Sequence, residues 1–195
     1  MTETFRAFIA IDLPESVKSF LSEAQEALKL YGFGVKWVRP QNIHLTLKFL
    51  GNIATADTDK IAEALTLAAR NCPVVSLAAK GIGVFPNPRR PRVIWAGLKG
   101  QVEILENLQQ TLDAHLSELG FARETRAFKS HLTLGRVKGK IAPARMKAAI
   151  EKLKEFESES FEINQVTLFK SDLQPTGAVY TKVQAIDFQG QSQKG

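Results

Sequence analysis

The sequence predicts an α+β fold whose strands are mainly antiparallel. Three observations carry that expectation. Strand-like and helix-like stretches are mixed without the regular alternation of a βαβ protein, and hairpin-like neighbours recur. The tetrapeptide His-Leu-Thr-Leu occurs twice, at 44–47 and 131–134, each time inside a strand-like run. The 195 residues, 44% of them apolar, suffice for one domain or two small lobes sharing an interface, and no linker divides them.

The elements follow from periodicity. Phe5 to Ile11 is a short apolar run bounded by Asp12-Leu13-Pro14, a strand feeding a helix whose first turn contains Pro14. That helix spaces Val17, Phe20, Leu21, Ala24, Leu28 and Tyr31 along one apolar face, and Gly32 supplies its stop. Trp37 and Val38 make a brief extended piece before Pro40, and Ile43 to Leu50 reads as a strand closed by Gly51-Asn52. A second helix is expected over Asp57 to Arg70, with Ile61, Ala64, Leu65 and Ala68 on one face. Strands near Val74 to Ala79 and Arg92 to Leu98 flank a proline-rich turn that carries Arg89 and Arg90.

A third helix spans Val102 to Leu119 with a stripe of five leucines (105, 108, 112, 116, 119), and Gly120 ends it. Phe128 to Val137 reads as a strand containing His131, and Pro143 opens a short helix carrying Met146, Ile150 and Leu153. Two strand-like runs, Phe161 to Lys170 and Val179 to Phe188, close the chain through a turn at Gln174-Pro175-Thr176-Gly177. The last residues, about 190–195, read as a flexible tail.

A formal charge of +6 favours a polyanionic partner, because a positive field raises the encounter rate with phosphates. The lone cysteine, Cys72, has no disulfide partner and provides no thiolate set for zinc, which fits a reducing compartment and a cytoplasmic location. No leader-like N-terminus and no apolar run of membrane-spanning length is present, so membrane association is not expected. No obligate protein partner is indicated.

The chemistry resides in the repeat. Side chains alternate along a strand, so His44 and Thr46 share one face while Leu45 and Leu47 take the other, and the same holds for His131, Thr133, Leu132 and Leu134. Each motif can anchor itself by two leucines and present an imidazole beside a hydroxyl. A single histidine on a strand is usually a packing or surface residue. Duplication alters that weighting: with any residue type at about one position in twenty, two of three histidines bearing threonine two residues on is roughly a one-in-a-hundred coincidence. His115, on the third helix, is expected to be structural.

With the positive charge pointing to a phosphate-bearing partner, the residue types suit acid–base chemistry on it without metal. Two imidazoles can serve as acid and base, since an unperturbed pKa near about 6.5 allows one ring to be neutral and the other protonated. Thr46 and Thr133 can donate to non-bridging phosphate oxygens, and Arg136, five residues after His131, is a candidate phosphate clamp. An unbroken strand would point Arg136 to the wrong face; Gly135 could supply the bend that returns it. No His-Glu-x-x-His motif or carboxylate cluster accompanies either motif, and no metal or other cofactor is expected. A serine nucleophile lacks its Gly-x-Ser-x-Gly elbow. Should the polyanion be a nucleic acid, Phe8 and Trp37 are candidate base contacts, with a core role as the alternative, and Arg89 and Arg90 are candidate contacts to its backbone.

Taken together, several segments resemble the two-histidine phosphoesterases, and within them the bacterial and archaeal RNA 2′,3′-cyclic phosphodiesterases, historically called 2′-5′ RNA ligases. The resemblance runs from Arg6-Ala7-Phe8-Ile9-Ala10-Ile11 through Val35-Lys36-Trp37-Val38, both His-Leu-Thr-Leu motifs, Gly83-Val84-Phe85-Pro86 and Arg92 to Gly97, to Leu168-Phe169-Lys170-Ser171. It implies a single bilobal domain over 1–195, with pseudo-twofold related lobes, outer helices, one motif per lobe and a reaction groove between them. It also implies His44 as the proton donor to O3′ and His131 as the base for water, acting on RNA with a 2′,3′-cyclic phosphate end. The residue types alone leave that polarity open. Three alternatives stand beside this reading: ligation forming a 2′-5′ bond with the same histidines, a non-catalytic RNA-binding module that retains the fold, and hydrolysis of cyclic nucleotides or ADP-ribose cyclic phosphates.

Overall fold

The computed structural model describes residues 3–175 and 177–190, and the expected tail, Gln191 to Gly195, lies outside them. In chain order the elements are β1 (Thr4–Asp12), α1 (Glu15–Lys29), β2 (Val35–Trp37), β3 (His44–Ala54), α2 (Thr58–Ala69), β4 (Val75–Phe85) and β5 (Val93–Gly100). Then come α3 (Val102–Glu118), β6 (Leu132–Val137), α4 (Pro143–Lys152), β7 (Phe161–Ile163), β8 (Gln165–Gln174) and β9 (Gly177–Asp187). The strands form one antiparallel sheet in the order β7-β4-β5-β6-β3-β1-β8-β9, with β2 attached to β6. The fold class is the α+β arrangement that the sequence predicts.

The sheet has two halves joined at a narrow seam. β3 and β6, the motif strands, meet through one residue pair, Leu45 with Leu132. Beyond it β3 diverges, and the same edge of β6 is taken by β2, which pairs Val35, Lys36 and Trp37 with Val137, Arg136 and Gly135. A seam that opens between two central strands leaves a groove. Gly135 makes the close approach of β2 possible, since a β-carbon there would lie 2.5 Å from Val35 Cγ1.

Helices cover one face of the sheet. The apolar stripe of α1 (Val17, Leu21, Ala24, Leu28) is buried, and Gln25 beside it donates to the carbonyls of Val38 and Leu134 at 2.8 Å each. Phe20 of α1 stacks on Phe156, which follows α4. On the other half α2 packs against α3 and against β8 and β9. Leu45, Leu47, Leu132 and Leu134 all lie in the core beneath these helices. Burying each such leucine is worth about 1.5–3 kcal/mol, which fixes the face each motif strand turns outward. No helix among the described residues is long and apolar enough to cross a membrane.

The structure departs from three sequence expectations. Gly51-Asn52 does not close β3: Gly51 takes a positive φ of 75° inside a bulge, and pairing with β1 resumes through Ala54 and Thr4. The strand expected from Phe128 begins only at Leu132, because residues 121–131 have no neighbouring strand to pair with, so His131 stands at its entrance. The run from Phe161 to Lys170 is two strands. β7 pairs with β4 in one half and β8 with β1 in the other, so the chain crosses the molecule at Asn164. The final hairpin forms as expected, Gln174 pairing with Gly177.

Candidate active site

The groove at the seam has a volume of about 650 Å³, and its walls include His44, Thr46, His131 and Thr133. The antiparallel register explains the convergence. With Leu45 opposite Leu132, one step either way sets His44 across from Thr133 and Thr46 across from His131. A local twofold therefore passes between the two leucines, and the four polar side chains of the repeat share the open face.

Each imidazole is held in the same way. His44 Nδ1–H donates to the carbonyl of Asn42 at 2.8 Å, and His131 Nδ1–H to that of Lys129 at 2.6 Å. A carbonyl can only accept, so both rings carry their proton on Nδ1 when neutral and leave the Nε2 lone pair free to accept one. Aromatic rings flank both. Phe8 and Tyr180 lie 4.8 and 5.3 Å from His44 between ring centroids, and Phe85 and Trp95 lie 5.0 and 6.5 Å from His131.

The setting of His44 perturbs its proton affinity. Burial pushes the His44 pKa below 6.5, against the Asn42 carbonyl and the Asp12 carboxylate, which favour its cation, while His131 and Lys18 add to the depression. Asp12 is the residue opposite His44 on β1. Burial alone would raise its pKa, but Lys18 and Lys182, each 2.8 Å away, hold it below the usual carboxylate value. Tyr180 is raised by burial, opposed by the charges of Arg136 and Arg6.

Arg136 lines the groove, and a bulge puts it there. β5 pairs Trp95 with Thr133 but Ile94 with Gly135, so Leu134 is the extra residue and Arg136 returns to the face of His131. β3 does the same: Ala10 pairs with Thr46 and Ile9 with Lys48, making Leu47 extra. The second leucine of each motif is thus a bulge residue. The residue equivalent to Arg136 in the other half is Phe49, 63% exposed on the groove wall.

The remaining sequence candidates separate. Trp37 lines the groove, half-buried. Phe8 is only 3% exposed and is stacked 5.2 Å from Phe169 beneath His44, so it forms the floor and has no free face for a base. Arg89 and Arg90 are exposed in the β4–β5 loop, where their amides are capped by the Asn87 side chain, and they do not line the groove. The turn holds them away. Among the described residues no group of three or more His, Cys, Asp or Glu side chains is placed to hold a metal.

Reasoning from the sequence missed further contributors, among them Phe49, Tyr180, Lys36, Lys138 and Lys48. Lys48 is buried and donates to the Asp113 carboxylate of α3 and, at 2.7 Å, to the Ala122 carbonyl, while Asp113 accepts from the Glu124 amide. This buried pair ties the strand of the first motif to the irregular segment leading to His131. A lysine four residues after His44 was a visible signal, but its partner lies 65 residues away.

A sheet opened between β3 and β6, with a histidine at the head of each and helices on its other face, is the arrangement of a two-histidine phosphoesterase. The LigT-like phosphoesterase family model matches residues 11–95 and 98–180, and the chain belongs to this family. It is 40% identical over 177 residues to the RNA 2′,3′-cyclic phosphodiesterase of Methanocaldococcus jannaschii, covering 90% of this chain and 96% of that one. It is 36% identical to the protein of that name from Methanothermobacter thermautotrophicus, covering 92% and 96%. Among solved structures, TT0787 of Thermus thermophilus superposes with a TM-score of 0.78 at 28% identity, covering 95% and 98%. Escherichia coli LigT complexed with 3′-AMP gives 0.75 at 24% identity, covering 95% and 99%, a likeness of fold.

Proposed function

We propose that this protein hydrolyses 2′,3′-cyclic phosphate ends of RNA to 2′-phosphomonoesters, with His44 and His131 as the acid–base pair. The observation that carries the reading is the matched pair of imidazoles, each locked by a carbonyl so that Nε2 serves the groove. The names of the relatives point to the same substrate.

The roles divide as follows. A water loses its proton to His131 Nε2 and attacks phosphorus in line. The P–O3′ bond breaks, and O3′ takes the proton of His44 Nε2, leaving a free 3′-hydroxyl and a 2′-phosphate. Thr46 and Thr133 donate to the non-bridging oxygens, and Arg136 neutralises their growing charge. His131 suits the base because it ends an irregular segment open to water, whereas His44 is packed between Phe8 and Tyr180. Phe49, on the same strand as His44, offers its exposed ring to the terminal base. The described residues act as one domain with one motif per lobe. A reduced Cys72, buried and with its pKa raised to about 11 by burial, accords with a cytoplasmic setting.

The test is incubation of an oligoribonucleotide ending in a 2′,3′-cyclic phosphate, in the presence of chelator. A 2′-phosphate product, lost in His44→Ala and His131→Ala, is expected. Undiminished turnover in both variants would sink the scheme.

A further inference from the structure

We infer that Lys36 and Lys138 form a second phosphate subsite, for the phosphodiester on the 5′ side of the terminal nucleotide. The inference deepens the proposed function by fixing the substrate as a chain of at least two nucleotides rather than a cyclic mononucleotide.

The first observation is a local conflict. Lys36 on β2 stands directly opposite Arg136 on β6, a like-charged cross-strand pair, which an antiparallel sheet disfavours. Among the described residues no aspartate or glutamate lines the groove, whose walls carry Arg6, Lys36, Arg136 and Lys138. A sheet that retains an unneutralised cation pair on an open face is built to receive an anion. The second observation is the role of β2. It is three residues long and, among the described residues, pairs with β6 alone, along the edge that β3 vacates at the seam. Its effect is to set Lys36 beside Arg136.

The third observation is order along the strand. After the bulge at Leu134, Arg136 and Lys138 point the same way, spaced by about 6.5 Å of extended chain. Leading away from His131, the open face carries Thr133, then Arg136 with Lys36 beside it, then Lys138. With Thr133 and Arg136 on the cyclic phosphate, Lys36 and Lys138 meet the next phosphate of a strand leaving along β6. A cyclic mononucleotide has no such group.

The test compares kcat/KM on adenosine 2′,3′-cyclic phosphate with that on the dinucleotide ApA ending in a 2′,3′-cyclic phosphate, for wild type, Lys36→Met, Lys138→Met and the double variant. Wild type should favour the dinucleotide, and each substitution should lower the dinucleotide-to-mononucleotide ratio by about 5-fold, the effect of one lost exposed charge contact. The salt dependence of dinucleotide turnover should weaken in step, and Lys36→Arg should restore the ratio. Both lysines are exposed, and matching melting curves would confirm intact folding. An unchanged ratio, or equal losses on both substrates, overturns the subsite. A wild type inactive on both substrates overturns the proposed function itself, a separate outcome.

Discussion

The two halves of the groove carry the same device in different surroundings. In both, a strand bulges at the second leucine of His-Leu-Thr-Leu, the imidazole Nδ1 binds the carbonyl two residues back, and an aromatic ring lies about 5 Å from the histidine. The surroundings are unlike. His44 starts an eleven-residue strand paired along its length with β1, and Asp12 stands opposite. His131 ends the unpaired stretch 121–131, secured from below by Lys48 and Asp113. Five residues on, one half offers a phenyl ring and the other a guanidinium. The repeat supplies two imidazoles; under the proposed function, departures from symmetry give them distinct tasks.

The strongest challenge to that comparison is removal of either histidine. His44→Ala and His131→Ala should each lower kcat by about 10²–10⁴-fold, measured on a cyclic-phosphate oligonucleotide. A much smaller loss in one would mean that half is only structural. Next comes the pair at the fifth position. Arg136→Ala should cut kcat by about 10²-fold, the scale for one transition-state donor, whereas Phe49→Ala should act on KM with kcat nearly kept. Interchanged effects would reverse the assignment of the two walls.

Lys48→Met strands Asp113 as a buried, unpaired charge and should cost about 3–5 kcal/mol in denaturant unfolding. Amide exchange should quicken over 121–131 and leave β3 little changed, so equal quickening in both would deny a specific tie to the His131 half.

The pH dependence sharpens the division of roles. The His44 pKa lies below 6.5, so its cation is lost as pH rises through that region. As the acid, His44 makes kcat/KM fall with rising pH there, and His131→Ala should retain only this descending limb. As the base it would give a rising limb instead, and that result would exchange the two roles. The smallest expected effect is that of chelator, which should leave the rate within about 2-fold; loss of activity with rescue by added metal would point to a metal-assisted route.

The sequence by itself determined the four helices, the antiparallel character, the two motifs and the burial of their leucines. Those features depend on residues close together in the chain, where apolar spacing of 3.6 or 2 decides which face is buried. It also offered Arg136 as a candidate clamp, conditional on a bend supplied by Gly135, whereas the extra residue is Leu134. The bend itself, the continuation of β3 through Gly51 and the division of the 161–170 run between two halves belong to the tertiary structure. Each is settled by a strand distant in sequence: β5 for the bulge at Leu134, β1 for the pairing past Gly51, and β4 and β1 for the crossing at Asn164. The same cause separates Phe8, closed off by Phe169, from Phe49, left open on the wall. Two phenylalanines read alike in a sequence; only the neighbours brought by folding decide which one has a free face.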